Sequence, residues 1–230
     1  PGMITYRDLR GLTEFQAAYD LQHAVWGMDD LADPPDLMMV VQSEGGIVAG
    51  AFDGDRLAGY VFGFPTSDPT VQHSHRLAVL PEYRGQGLGV ALKAYQKDWC
   101  QSRGIRRIRW TYDPLMTRNA NLNINNLGAF GTGYLVNYYG SGGSYQAGVE
   151  SDRVVAELFV TGRPEVRAED KVAVVPDFHK LLRSDEAAAR AARAEGRLAM
   201  QSRFEAGLQI IGFDPGCSTY IFGRLLREVA

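Results

Sequence analysis

The chain has 230 residues, 45% of them hydrophobic, with 24 Lys and Arg against 27 Asp and Glu and a net charge of −3. This profile is typical of a globular protein that buries a sizeable core without disulfides or a structural metal. The absence of a basic excess argues against nucleic-acid binding, and no apolar run approaches the ~20 residues needed to cross a bilayer. Two cysteines, Cys100 and Cys217, without a paired Cys/His pattern predict no metal site and a reducing, cytoplasmic location.

The first part of the chain predicts alternating short strands and helices. Thr13 and Gln16 have the spacing of a capping box, so a helix is expected to begin there and to end at Gly27. Gly54 lies between two apolar runs and predicts a hairpin turn. The remaining predicted elements are a strand at 3–8, a short helix at 37–43 and the hairpin strands 46–52 and 56–64.

A strand is predicted over residues 71–80, and it runs directly into a glycine-rich turn at 84–89. A period of two predicts that one face of this strand carries His73, His75, Leu77 and Val79. Apolar residues then recur at helical spacing from Leu88 to about Gly104. The sequence therefore predicts a strand–turn–helix unit with its glycines at the start of the helix.

The second part of the chain carries weaker signals. Glycines 128, 131 and 133 are interpreted as a helix stop followed by a turn, and Ser184 is expected to cap a long helix reaching to about Gly207. The other predicted elements are a strand at 105–113, an Asn-rich helix at 119–127, strands at 152–160 and 171–175, and a closing hairpin at 209–213 and 218–225.

The turn at 84–89 has the composition of an anion-binding site. A helix N-terminus presents unpaired N–H groups, and glycines let the backbone approach a phosphate closely. A dinucleotide fingerprint fails because Val90 stands where the third glycine should be, and the Gly-Lys-Ser/Thr of a P-loop is absent. A helix start that merely has small residues remains the alternative at this point.

Residues 77–89, with the sequence LAVLPEYRGQGLG, resemble motif A of the GNAT acyl-CoA-dependent N-acyltransferases. The resemblance implies an α/β (α+β) fold with a mixed, mostly antiparallel, splayed sheet flanked by helices. It covers a core domain over residues 1–160, and residues 161–230 would form a C-terminal extension of a long helix and closing strands.

The resemblance also implies a site for acyl-CoA as co-substrate, with no metal. Backbone amides of the turn would hold the pyrophosphate, the edge of the preceding strand would pair with the pantetheine, and an amide near Ala78 would polarise the thioester. The implied cofactor-binding residues are Leu77, Ala78, Val79, Arg84, Gly85, Gln86, Gly87, Leu88, Gly89 and Asn119.

The resemblance does not identify the general acid or the general base. Ile124 stands where many relatives carry the tyrosine that protonates the leaving thiolate, and Tyr138 or Tyr139 are the substitutes. His75, and less so His73, titrates in the range that an amine-deprotonating base needs. A packed histidine remains the alternative. Arg107, Arg109 and Arg118 either form a solvated edge or bind an acceptor carboxylate.

A narrower resemblance, carried by residues 111–115, 118–123, 127–129 and 137–140, points to a bacterial GNAT subgroup associated with N-succinylation of amino acids. It implies transfer of an acetyl or succinyl group from acetyl-CoA or succinyl-CoA to a small-molecule amine such as an amino acid. The alternatives are a protein lysine or N-terminal acetyltransferase and a non-catalytic acyl-CoA sensor. No nucleic-acid or membrane partner is expected, and a homodimer is one option for the oligomeric state.

Overall fold

The structure is a computed structural model that describes residues 3–140 and 149–226. It contains two compact units, residues 1–108 and residues 109–230, each with a mostly antiparallel sheet and flanking helices. The predicted α/β fold class is therefore confirmed. The division into a core over 1–160 and an extension over 161–230 remains a prediction. No helix in the described part of the chain is long and apolar enough to span a membrane.

The first unit has its strands in the order β1-β2-β3-β4, all antiparallel to their neighbours. Gly54 has a φ of 59° in the turn between β2 and β3, as predicted for this hairpin. Its elements are β1 (Ile4–Asp8), α1 (Gly11–Trp26), α2 (Pro35–Ser43), β2 (Ile47–Asp53), β3 (Arg56–Pro65), β4 (Val71–Val79) and α3 (Leu88–Gln101). Helices α1 and α2 cover an apolar core on one face of this sheet, and α3 packs on the other.

Helix α1 begins earlier than the capping pattern indicates. Its N-cap is Arg10, whose backbone N–H donates to a Glu14 carboxylate oxygen at 2.7 Å, and Glu14 also accepts two hydrogen bonds from the Arg7 guanidinium at 2.7 and 2.8 Å. The prediction of a Thr13 cap was wrong because Glu14 reaches back to the orphan amide instead.

Strand β4 contains a bulge at His75. Arg76 is paired with Phe62 of β3 and Ser74 is paired with Gly63, so His75 is an extra residue on β4. A bulge interrupts the alternation of side chains. His75 and Arg76 therefore both face α1 and α2.

The predicted face of β4 was consequently wrong beyond this bulge. A β-carbon added at Gly89, in α3, would lie 3.9 Å from the side chains of both Leu77 and Val79. These two side chains thus face α3, whereas His73 and His75 contact aromatic rings of the opposite face.

A buried polar cluster joins α3 to β4. The Lys93 ammonium donates to Ser74 Oγ and to Gln96 Oε1, both at 2.8 Å, and the Gln96 amide donates to Gln72 at 2.7 Å. A β-carbon at Gly63 would lie 2.9 Å from Gln96 Nε2, so only glycine leaves room for the cluster. Burial lowers the pKa of Lys93 to about 7.

The second unit has its strands in the order β5-β7-β6-β9-β10-β8. Its strands are β5 (Arg107–Tyr112, which begins at the end of the first unit), β6 (Phe130–Leu135), β7 (Arg153–Phe159), β8 (Val166–Ala173), β9 (Gln209–Asp214) and β10 (Thr219–Leu225). Its helices are α4 (Thr117–Ala120), which continues as a π-helical turn over Asn121–Asn126, α5 (Phe178–Ser184) and α6 (Glu186–Glu205).

Three predictions for this unit need correction. Gly131 and Gly133 lie in strand β6 rather than in a turn. Position 131 is a glycine because a β-carbon there would come within 2.7 Å of the Ile210 side chain of β9. The predicted long helix is α6, but its cap is Asp185, whose carboxylate accepts from the Ala188 N–H at 2.9 Å, and Ser184 instead ends the short preceding helix α5. Strand β8 begins at Val166 rather than at 171; seven of its eight residues are exposed and four are charged, so no apolar run marks its beginning.

Lys93 is expected to make stability depend on pH. Between about pH 7 and the ordinary lysine pKa near 10.5, the unfolded chain holds a proton that the folded chain has released, so stability rises with pH through this window. The Lys93→Met variant should lose this slope, and Lys97→Met, on the same helix, should keep it. Melting temperatures at pH 6.5 to 10 measure the difference; parallel curves for Lys93→Met and the wild type would contradict it.

Candidate active site

The glycine-rich turn connects β4 to α3. After a 3-10 turn at Pro81–Tyr83, Gly85 and Gly87 have φ angles of 76° and 80°, a left-handed conformation that favours glycine. Gly87 caps α3, and a β-carbon at either glycine would meet no described atom within 4 Å. Among the described residues, no carbonyl accepts a hydrogen bond from the amides of 85–87. These amides and the first turn of α3 therefore present exposed N–H groups of the kind that bind anions.

The turn is held by the β2–β3 hairpin. The Tyr83 hydroxyl donates to Asp53 at 2.9 Å, and Glu82 pairs with Arg56, whose guanidinium lies 5.5 Å from the centre of the Tyr83 ring. The Leu80 N–H donates to the Ala58 carbonyl at 2.9 Å. Glu82 therefore has a structural partner in the hairpin.

The residues predicted to bind the cofactor lie on both sides of this turn. Leu77 and Val79 face α3, Ala78 is buried in the core under α1 and α2, and Arg84 donates to the Val79 carbonyl at 3.3 Å. The backbone from Leu77 to Gly89 thus runs from the end of β4 through the glycine-rich turn into the first turn of α3. Asn119 belongs to the second unit, where it is exposed on α4. Its contact with a cofactor remains a prediction.

His75 forms a pair with Asp33, which lies in the loop between α1 and α2. His75 Nε2 is 3.2 Å from Asp33 Oδ1, and the His75 side chain is 36% exposed. Its ring meets Phe62 edge-on at 5.5 Å and is tilted against Phe64 at 5.6 Å. The His75 ring is therefore partly accessible to solvent, while Asp33 and the two phenylalanine rings fix its orientation.

Arg76 holds the loop that carries Asp33. Its guanidinium lies 2.8 Å from Asp30 Oδ2, 2.8 Å from Asp33 Oδ2 and 2.8 Å from the Leu31 carbonyl, and stacks over the Trp26 ring at 4.7 Å. Burial raises the pKa of Asp33, but the hydrogen bonds and charges of His75 and Arg76 outweigh it, so the net pKa is lowered. Asp33 is thus held as a carboxylate beside the imidazole.

Sequence reasoning missed Asp33 and Arg76. Asp30 and Asp33 stand just before Pro34 and Pro35, so the one available signal was a pair of carboxylates in a proline-bounded loop. Their partner on β4 is more than forty positions away in the chain, as the separation of 42 between Asp33 and His75 shows.

His73 lies on the same face as His75 and stacks on Phe64 at 5.0 Å. Of the three arginines considered for carboxylate binding, Arg107 and Arg109 are each 40% exposed and lie 4.0 and 3.9 Å from Asp68 and Glu157. Arg118 is exposed on α4. Asp68 is exposed, whereas the Glu157 side chain is only 12% exposed, and the choice between a solvated edge and a carboxylate site remains a prediction.

Tyr138 lies in the second unit, in the turn after β6. The Tyr138 N–H donates to the Ser151 carbonyl at 3.0 Å, and the Asn137 N–H donates to the buried Asp152 carboxylate at 2.9 Å. Tyr138 and Tyr139 are 54% and 61% exposed, with ring centroids 4.7 Å apart. Ile124, at the position where the resemblance implied a tyrosine, is fully buried. A role for Tyr138 remains a prediction.

Comparison with known proteins agrees with this geometry. Residues 12–122 match the model of the acetyltransferase (GNAT) family. The ribosomal-protein-S18-alanine N-acetyltransferase of Escherichia coli is 20% identical with a TM-score of 0.57, over 71% of this chain and 97% of that one. An aminoglycoside 6'-acetyltransferase of type Ii is 21% identical with a TM-score of 0.57, over 70% and 99%. The protein yncA of Salmonella typhimurium, solved with acetyl-CoA, is 18% identical with a TM-score of 0.57, over 74% and 99%.

No protein of curated function matches the sequence. The structural similarities, all near 20% identity, establish the fold, and the family match spans α1 to the π-helical turn, including the glycine-rich turn. On these grounds residues 12–122 are an acetyltransferase domain of the GNAT family.

Proposed function

We propose that this enzyme transfers an acetyl or succinyl group from acyl-CoA to the primary amine of a small molecule. The observation that carries the proposal is the placement of two features on one strand: the anion-binding turn follows the end of β4, and the His75–Asp33 pair lies at the β4 bulge. Val79 lies four positions after His75, about 13 Å along a strand. An extended arm anchored at the turn can therefore run along β4 towards His75.

The residues of the turn fit coenzyme A. The amides of 85–90 and the positive end of α3 would hold the pyrophosphate, and the space that a β-carbon would fill at Gly85 and Gly87 would admit its oxygens. When bound, acyl-CoA supplies the thioester whose carbonyl carbon the amine attacks, with loss of the thiol. The backbone of 77–79 would orient that arm.

His75 is the proposed base. An ammonium must lose a proton before its nitrogen can attack, and the His75 ring can accept this proton directly or through one water. Since Asp33 lies at Nε2, that nitrogen carries the hydrogen and Nδ1 accepts. Tyr138 is the proposed donor of a proton to the leaving thiolate.

The acceptor is proposed to be a small molecule, with amino acids as the class that the narrower resemblance favours. A protein amino group and a binding-only sensor are the competing functions. The His75–Asp33 pair beside an accessible face of β4 favours the enzyme over the sensor, because binding alone needs no oriented imidazole.

A thiol-release assay tests the proposal. Acetyl-CoA and succinyl-CoA are each incubated with the enzyme and a panel of D- and L-amino acids, alkylamines, polyamines and a lysine-containing peptide. Release with a small amine supports the proposal. Release with the peptide alone would favour the protein-modifying alternative, and coenzyme A binding without any release would favour the sensor.

The first prediction from this proposal concerns the turn. Gly87→Ala should weaken coenzyme A binding by about tenfold or more, because a methyl group would stand where the pyrophosphate approaches charge-assisted N–H donors. The matched control is Gly104→Ala, since Gly104 has a φ of 73° and equally open surroundings. Both variants should lose about 1–2 kcal/mol of stability from the left-handed backbone, but only Gly87→Ala should lose affinity by calorimetry. Unchanged affinity in folded Gly87→Ala would refute the assignment.

The second prediction concerns the base. His75→Ala should lower kcat by about 10²-fold without changing coenzyme A affinity. In the wild type, the rate should fall at acidic pH, because a protonated base cannot accept the proton of the substrate ammonium.

His73→Ala is the control for His75→Ala, because His73 is on the same face and also packs against Phe64. It should retain turnover per folded molecule. If His75→Ala keeps both its turnover and its pH profile, the proton goes to water or the substrate reacts as its free base, and the assignment of His75 is withdrawn.

A further inference from the structure

An open groove of about 580 Å³ lies beside the His75–Asp33 pair, between α2 and the strands β3 and β4. Its volume is in the range of small-molecule sites. The surface of the groove is almost entirely apolar. The side chains that form its walls are Leu37, Val40, Val41, Phe62, Phe64 and Pro65.

We infer that this groove binds the apolar part of the acyl acceptor, so that the preferred substrates are primary amines carrying an alkyl or aryl group. The inference rests on the proposed function, because it places the reacting amine at His75. It extends that function by naming what the rest of the acceptor must be.

The charges at one end of the groove fix the orientation of the acceptor. The Asp33 carboxylate, with a lowered pKa, lies beside His75 and complements an incoming ammonium. Arg76, the adjacent residue, is already paired with Asp30 and Asp33. A cationic amine is therefore attracted to this end, and the remainder of the molecule points along the apolar walls.

The walls have apolar surface that a ligand would cover. Leu37 and Val40 are 47% and 58% exposed, and both line the groove. Burying apolar area at ~25 cal/mol per Å² corresponds to about fourfold in affinity for each methylene. Lengthening the acceptor should thus raise the specificity constant stepwise.

Glu44 also borders the groove, just after the end of α2. A diamine that reached Glu44 with a second ammonium is the competing occupant. The groove surface favours the alkylamine, because a second ammonium held against apolar walls would lose hydration without gaining a buried partner.

The experiment measures kcat/KM for ethylamine, butylamine and hexylamine, which share one amine chemistry, and for 1,6-diaminohexane, which replaces the terminal methyl of hexylamine by an aminomethyl group. We expect at least a tenfold rise from ethylamine to hexylamine and a lower value for the diamine. Phenylalanine should likewise exceed alanine.

Two variants of α2 locate the effect. Val40→Ser, on the groove wall, should reduce the ratio of hexylamine to ethylamine activity about fivefold. Met39→Ser, on the same helix and 37% exposed but outside the groove, should leave that ratio unchanged.

The outcomes separate this inference from the proposed function. An active enzyme with a flat chain-length series, or one that prefers the diamine, overturns the inference and leaves the function standing. If no amine releases thiol, the function fails, and the inference is then decided by binding: a melting-temperature shift that grows from ethylamine to hexylamine and is lost in Val40→Ser supports it, and no shift overturns it.

Discussion

The bulge at His75 is the constraint on which the arrangement of the first unit depends. One extra residue in β4 directs the consecutive side chains of His75 and Arg76 to the same face. With strict alternation Arg76 would point at α3, and the carboxylates of Asp30 and Asp33 would lose the guanidinium that holds their loop. The bulge also turns Leu77 and Val79 towards α3, beside the glycine-rich turn. One strand thereby carries the proposed base, His75, on one face and the side chains that contact α3 on the other.

Buried charge fixes the loops of both units in the same way. Arg193, only 1% exposed, makes two hydrogen bonds to Asp113 at 2.7 and 2.8 Å. Asp152, fully buried, accepts from Arg197 and from the backbone of Asn137. Such charges are tolerated inside a protein because each is paired and hydrogen-bonded. These ion pairs hold segments of irregular backbone in place, including the turn that carries Tyr138.

The glycines separate what the local sequence predicts from what it does not. Gly54, Gly87 and Gly104 all have positive φ angles, and the turn chemistry that predicts them depends only on the residue and its neighbours. Gly63 and Gly131 are different, since each is needed because a side chain from another element occupies the space of its β-carbon. Nothing in the local sequence distinguishes these close approaches from turns, and strand β6 was missed for that reason.

The sequence alone determined the elements of the first unit, the hairpin at Gly54, the glycine-rich turn at the start of α3 and the resemblance to GNAT enzymes, because periodicity, turn residues and a contiguous motif are local properties. Only the tertiary structure decided which face His75 occupies, that Asp33 is its partner and that a buried Lys93 joins α3 to β4. These contacts join residues 42 and 19 positions apart. They depend on strand register and on one bulge, and neither produces a periodic signal in the chain.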